Sequence, residues 1–138
     1  MNQVESGGCL CGEYTYEFPR EAVLTAFHCH CRDCQKSTGT GRASVVLVPT
    51  EAVATRGNLK NFTVTGTNGA HVARGFCPHC GSQVMSQIEE LPAVRLIKAG
   101  TLEDSSWLEI NSSCWSCTAV PWSPVDQTGV IFERNPDL

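Results

Sequence analysis

The chain has 138 residues, nine cysteines and a formal charge of −4. The length suits a single domain, 1–138, able to bury roughly two-thirds of its unfolded surface. The acidic balance excludes a general nucleic-acid binder, which needs a basic patch, but leaves small anionic ligands open. No stretch approaches the ~20 apolar residues that span a bilayer, and the start, Met1-Asn2-Gln3-Val4-Glu5-Ser6, lacks a secretory signal's apolar run. The expectation is therefore a cytoplasmic protein with no membrane partner, whose cysteines stay reduced and hold metal. An odd number of them cannot all pair within the chain.

The first element is a cysteine pair, Gly7-Gly8-Cys9-Leu10-Cys11-Gly12. Side chains two apart in extended backbone share a face, so Cys9 and Cys11 can chelate one ion while the glycines let the chain turn tightly around it. Glu13 to Phe18 alternates polar and aromatic residues, which predicts a strand with Tyr14, Tyr16 and Phe18 on one face and an end at Pro19. Leu24 to Phe27 reads as a second strand running into His28-Cys29-His30-Cys31-Arg32-Asp33-Cys34. If extension persists to Cys31, then Cys29 and Cys31 share one face and His28 and His30 the other. Cys34 folds back across a short helical turn at Arg32 to Ser37. Three thiolates and no fourth ligand is the arrangement of an open, catalytic zinc; a fourth ligand would make it structural. His28 and His30 read equally well as packing or capping residues.

Ala43 to Val48 is a β-branched run ended by Pro49, and weaker strands are predicted at Glu51 to Thr55, Asn61 to Thr65 and Ala70 to Phe76. Next comes Cys77-Pro78-His79-Cys80-Gly81, half of a zinc-ribbon knuckle, with His79 in its turn. Joined to Cys9 and Cys11 it makes a closed four-thiolate zinc site and a loop of about 65 residues, and long loops gain most from such a clip. Val84 to Ile88, Val94 to Ala99 and Val130 to Phe132 complete the strands. His71 carries no signal. Cys114-Trp115-Ser116-Cys117 stays open between three readings: a fourth ligand to Cys29, Cys31 and Cys34, a redox pair, or two buried thiols acting as small apolar residues. The fold class is mainly β, short strands with very little helix.

The order and spacing of these motifs resemble the glutathione-dependent formaldehyde-activating enzyme family, which includes centromere protein V. The matching residues are Gly-Gly-Cys9-x-Cys11-Gly, then His28-Cys29-x-Cys31-x-x-Cys34-x-Lys36-x-x-Gly39, then Phe76-Cys77-x-x-Cys80-Gly81, with Gly100-Thr101-Leu102 and Pro121-Trp122 as weaker landmarks. The resemblance implies a zinc-stapled β-tent of short antiparallel strands. It also implies two Zn2+ ions, a structural one at Cys9, Cys11, Cys77 and Cys80 and a catalytic one at Cys29, Cys31 and Cys34. The activity implied is that of a carbon–sulfur lyase, joining formaldehyde to glutathione as S-hydroxymethylglutathione.

Physical chemistry supports such a role, because zinc ionises a coordinated thiol and can present it as a nucleophile near neutral pH. His30 or Asp33 would move the proton, and Arg32 or Lys36 would hold a carboxylate of the small thiol; each also reads as a solvated turn residue. The chain is shorter than the named enzyme, and its Glu109 to Val120 stretch, with Cys114 and Cys117, departs from the family's usual approach to Pro-Trp. Two other classes stay open: a binding module with both zincs structural, and a thiol-redox enzyme using Cys114 and Cys117.

Overall fold

The computed structural model describes residues 3–136; the outermost residues of the expected domain, 1–2 and 137–138, lie outside it. In chain order the strands are β1 (Val4–Gly8), β2 (Thr15–Pro19) and β3 (Thr25–Cys29), followed by the one α-helix among the described residues, α1 (Arg32–Thr38). Then come β4 (Ala43–Pro49), β5 (Ala54–Arg56), β6 (Lys60–Thr65), β7 (His71–Phe76), β8 (Gln83–Ile88), β9 (Leu91–Lys98), β10 (Ser112–Cys114) and β11 (Val130–Ile131). The protein is mainly β, as its alternating and β-branched runs lead one to expect. The run at Glu51 to Thr55 divides into a 3-10 turn at Thr50–Ala52 and the short β5.

Backbone contacts divide the chain into two compact units. Unit one comprises the chain up to Leu24 together with Val46–Trp107. It contains an antiparallel sheet ordered β1-β2-β5 and an antiparallel meander ordered β9-β8-β7-β6. Its buried side chains include Tyr16 and Phe18 from one face of β2 and Tyr14 just before it, with Val46, Val48, Val84 and Ile97. A fully buried Phe of this kind stabilises the fold by roughly 2–3 kcal/mol, and the rings of Tyr16 and Phe18 stack with centroids 6.1 Å apart.

β1, Val-Glu-Ser-Gly-Gly, has no strand propensity of its own and forms because β2 offers it a partner. Glu5 is buried in it and pairs with Arg20 at 3.0 Å, and the Arg20 guanidinium lies 4.7 Å over the Trp107 ring. Gly7 faces Tyr16 across the ladder, and a Cβ there would collide with the Tyr16 hydroxyl and the Thr101 carbonyl. The glycine pair before Cys9 therefore serves close approach, and the tight turn falls to Gly12, whose φ of 82° lies in the left-handed region.

Unit two comprises Thr25–Val45 and the chain from Leu108 on. Its strands are ordered β11-β10-β3, with the start of β4 beside β3. β10 runs parallel to both of its neighbours and places Cys114 opposite Cys29. Helix α1 begins at Cys31, whose sulfur accepts from the Cys34 amide, and ends at Gly39 with φ 73°. A sulfur acceptor at the N-cap meets one of the amides that every helix start leaves unpaired, and Gly39 supplies the left-handed stop.

Candidate metal centres

The first centre lies wholly in unit one. The sulfurs of Cys9, Cys11, Cys77 and Cys80 all lie within 4.8 Å of one another. Cys9 Sγ to Cys11 Sγ is 3.6 Å and Cys11 Sγ to Cys77 Sγ is 3.7 Å. Four sulfurs bonded tetrahedrally to zinc at about 2.3 Å would stand about 3.8 Å apart, so the donor set fits that ion.

Each pair is held by a matching turn. The Cys9 amide donates to the Tyr14 carbonyl at 3.0 Å and the Tyr14 amide donates to Cys9 Sγ at 3.3 Å. The Cys77 amide donates to the Ser82 carbonyl and the Gly81 amide to the Cys77 carbonyl, at 2.9 and 2.8 Å. Gly81, with φ 80°, makes that turn available without strain.

The thiols respond to one another. The Ser82 hydroxyl, then its amide and the Cys11 amide, hold Cys80 down at about 5. The Glu13 amide favours the Cys11 thiolate, but desolvation and the thiols of Cys9, Cys77 and Cys80 outweigh it and push Cys11 up to about 12. A cation sharing the space would relieve the repulsion between thiolates set this close.

The second centre lies wholly in unit two. The sulfurs of Cys29, Cys31 and Cys34 lie within 4.8 Å of one another, on the end of β3 and the first turn of α1. Their geometry comes from the extended run to Cys31 and the helical turn after it. The neighbouring thiols of Cys114 and Cys34 push the Cys29 thiol up, and those of Cys29 and Cys34 push Cys31 up, with burial adding to both. This too is a donor set that loses its mutual repulsion when a cation is present, and soft thiolates suit zinc. Cys114 is buried beside Cys29, whereas Cys117 is exposed.

The other residues singled out in the sequence take varied positions. His30 is fully buried, and among the described residues neither ring nitrogen meets a hydrogen-bond partner. Burial first, then the Arg42 charge, hold its pKa below the ordinary range. Asp33, Arg32 and Lys36 are exposed on α1, and the Arg32 guanidinium donates to Gln35 Oε1. His28 is buried with Nδ1 2.8 Å from the Ser44 hydroxyl. His79 is exposed in the knuckle turn. His71, which carries no sequence signal, bonds Glu90 at 2.8 Å in an exposed group with Glu89.

Two residues that the sequence did not single out hold the second centre in place. The buried Gln35 side chain donates to the carbonyls of His30 and Thr118, at 2.8 and 2.9 Å. The Thr118 hydroxyl also donates to the His30 carbonyl, at 2.8 Å. The backbone between Cys29 and Cys31 is thereby clamped from two sides. No motif spacing marks these residues; their only signal is an amide in a short helix beside the cysteines. Gln35→Ala would strip a carbonyl clamp without touching a ligand, and such outer contacts are worth 10–100-fold in metal affinity. Chelator competition on that variant is expected to show the second centre weakened about 10-fold and the first unchanged.

The family described as glutathione-dependent formaldehyde-activating enzyme matches residues 4–118, a span that contains both centres. The chain belongs to this family. A crystal structure of a Rhodobacter sphaeroides protein matches the family member described here with 21% identity and a TM-score of 0.57, over 92% of this chain and 98% of that one. That likeness is one of fold. No curated protein matches the chain. Among the described residues no helix is long and apolar enough to cross a membrane.

Proposed function

We propose that this family member is a carbon–sulfur lyase with two zinc ions, one structural at Cys9, Cys11, Cys77 and Cys80 and one catalytic at Cys29, Cys31 and Cys34. Its reaction is the reversible addition of a small thiol such as glutathione to formaldehyde, giving S-hydroxymethylglutathione. The observation that carries this reading is the inequality of the two donor sets. Among the described residues, four sulfurs close the first and three meet at the second. A three-ligand site leaves room for a substrate sulfur; a four-thiolate site does not.

When bound at the second centre, zinc supplies the positive charge that keeps an incoming thiol ionised. The protein's own residues do the remaining work. Cys29, Cys31 and Cys34 fix the open side of the centre at the start of α1, held by the Gln35 and Thr118 clamp. Asp33, exposed in the first turn of α1, takes the thiol proton or returns it to the new hydroxyl in this reading. His30 is sealed from solvent, so its part is to shape the loop. Lys36, exposed on the same helix, offers a cation to a carboxylate of the thiol; the Arg32 guanidinium already donates to Gln35. A cytoplasmic setting, where glutathione is plentiful and thiols stay reduced, is the setting such a reaction needs.

Exchange NMR of formaldehyde with glutathione tests this. Added protein is expected to broaden or transfer magnetisation between free and adduct resonances. An exchange rate equal to that without protein refutes the lyase reading and leaves a metal-stabilised binding module.

A further inference from the structure

Away from the thiolates, unit one brings together a third set of donor atoms. His71 opens β7, and Glu89 and Glu90 form the turn between β8 and β9, with Ile88 and Leu91 paired across it. Two-residue turns of this kind favour Gly, Asn and Asp. Here the turn carries two adjacent glutamates, a repulsive pair with no role in shaping it. The ladder of β7 and β8 pairs Val72 with Ile88, and the Glu89 amide extends it by donating to the His71 carbonyl at 2.9 Å. The backbone itself therefore sets the imidazole against the turn.

The three side chains converge. His71 Nδ1 lies 2.8 Å from Glu90 Oε2 and 3.8 Å from Glu89 Oε2. One donor atom from each residue falls within 4.8 Å of the other two. Nitrogen and oxygen donors bound to a first-row ion at about 2.1 Å stand about 3.0–3.4 Å apart, so the two spacings bracket what an ion needs. Glu90 Oε1 accepts from the His71 amide at 2.7 Å. That bond anchors the carboxylate while Oε2 turns to an ion, the kind of outer support that metal-binding carboxylates receive. Each of the three side chains is about half exposed, so the remaining side of the group faces solvent.

We propose that His71, Glu89 and Glu90 form a third metal site, which takes a divalent first-row transition ion at the turn between β8 and β9. The carboxylates supply the charge, and the imidazole selects a transition ion over calcium or magnesium, which prefer oxygen alone. The entering ion replaces the proton that Nδ1 shares with Glu90, and that proton passes to solvent. Three protein donors leave at least one coordination position to water. Such an open site exchanges its ion with buffer, so the zinc kept by the thiolates after desalting stays the same.

The test uses the full chain, its thiolate centres saturated with zinc, titrated with manganese(II). Manganese is the weakest binder of the first-row series and leaves zinc on its thiolates. Amide NMR is expected to show paramagnetic broadening centred on His71, Glu89 and Glu90, and the manganese EPR signal to report one bound ion per chain. His71→Ala, Glu89→Gln and Glu90→Gln should each weaken binding at least ~10-fold. All three positions are exposed, and unchanged amide spectra away from the turn verify that the variants fold. Further zinc should displace the manganese, whereas calcium at the same concentration should not.

Manganese bound equally well by His71→Ala, or displaced equally well by calcium, would make the turn a plain acidic patch and overturn the proposal. Broadening centred elsewhere, or none with manganese in large excess, would overturn it as well.

Discussion

Cys77→Ala is expected to cost the protein one metal ion per chain and to lower Tm by about 15 °C or more. Cys77 is 1% exposed and its sulfur stands among three others. Removing it leaves three thiolates that no longer surround an ion, and a small void besides. Structural zinc sites contribute on the order of 10 kcal/mol to folding. Even a loss of 4 kcal/mol moves Tm by about 15 °C in a chain of this size. Metal analysis coupled to calorimetry checks both parts. A variant that loses its ion and melts with the wild type would show that the β1-β2-β5 sheet and the meander hold without the metal.

Cys31→Ala should behave in the opposite way, with a large loss of function and a smaller loss of stability. Cys31 contributes one of three sulfurs and the cap of α1. Without it, the donor set falls to two, too few to retain zinc at the second centre. Formaldehyde–glutathione exchange is expected to drop to the uncatalysed rate, at least ~100-fold. The lost cap costs about 1 kcal/mol, or roughly 4 °C in Tm. One ion per chain should remain, bound by the first four cysteines. Exchange at the wild-type rate in a variant holding one ion would place the chemistry elsewhere in the protein.

These two results would separate the centres because the sequence shows them so differently. The four-thiol centre was legible from two dense motifs, Cys9-x-Cys11 and Cys77-x-x-Cys80, whose spacings leave little choice of local geometry. β2, β4 and β8 were legible for a similar reason: alternation in Glu13 to Phe18 and apolar runs at Ala43 and Val84 each have one way to bury themselves. β1 and β10 were not. Val-Glu-Ser-Gly-Gly and Ser-Ser-Cys have neither alternation nor β-branched density, and both become strands through partners distant in sequence.

The same cause hid the setting of the second centre. That Cys114 flanks Cys29 follows from the register of a parallel pairing between residues 85 apart, a distance that no local pattern reports. Gln35 carries no sequence signal because its value lies in two carbonyls, those of His30 and Thr118, that only the folded chain brings within reach.

The order in which the ligands occur along the chain has a consequence for biogenesis. The three sulfurs of the second centre fall within a single short stretch, so a nascent chain exposes them almost together. The first centre is split: Cys11 and Cys77 are 66 residues apart. At ~5–20 residues per second, the ribosome completes the second half of that site roughly 3–13 s after the first. During this interval Cys9 and Cys11 are available while Cys29, Cys31 and Cys34 have already been synthesised and can take an ion. Synthesis in scarce zinc therefore favours chains charged at Cys29, Cys31 and Cys34 first, with the Cys9, Cys11, Cys77 and Cys80 group closing last.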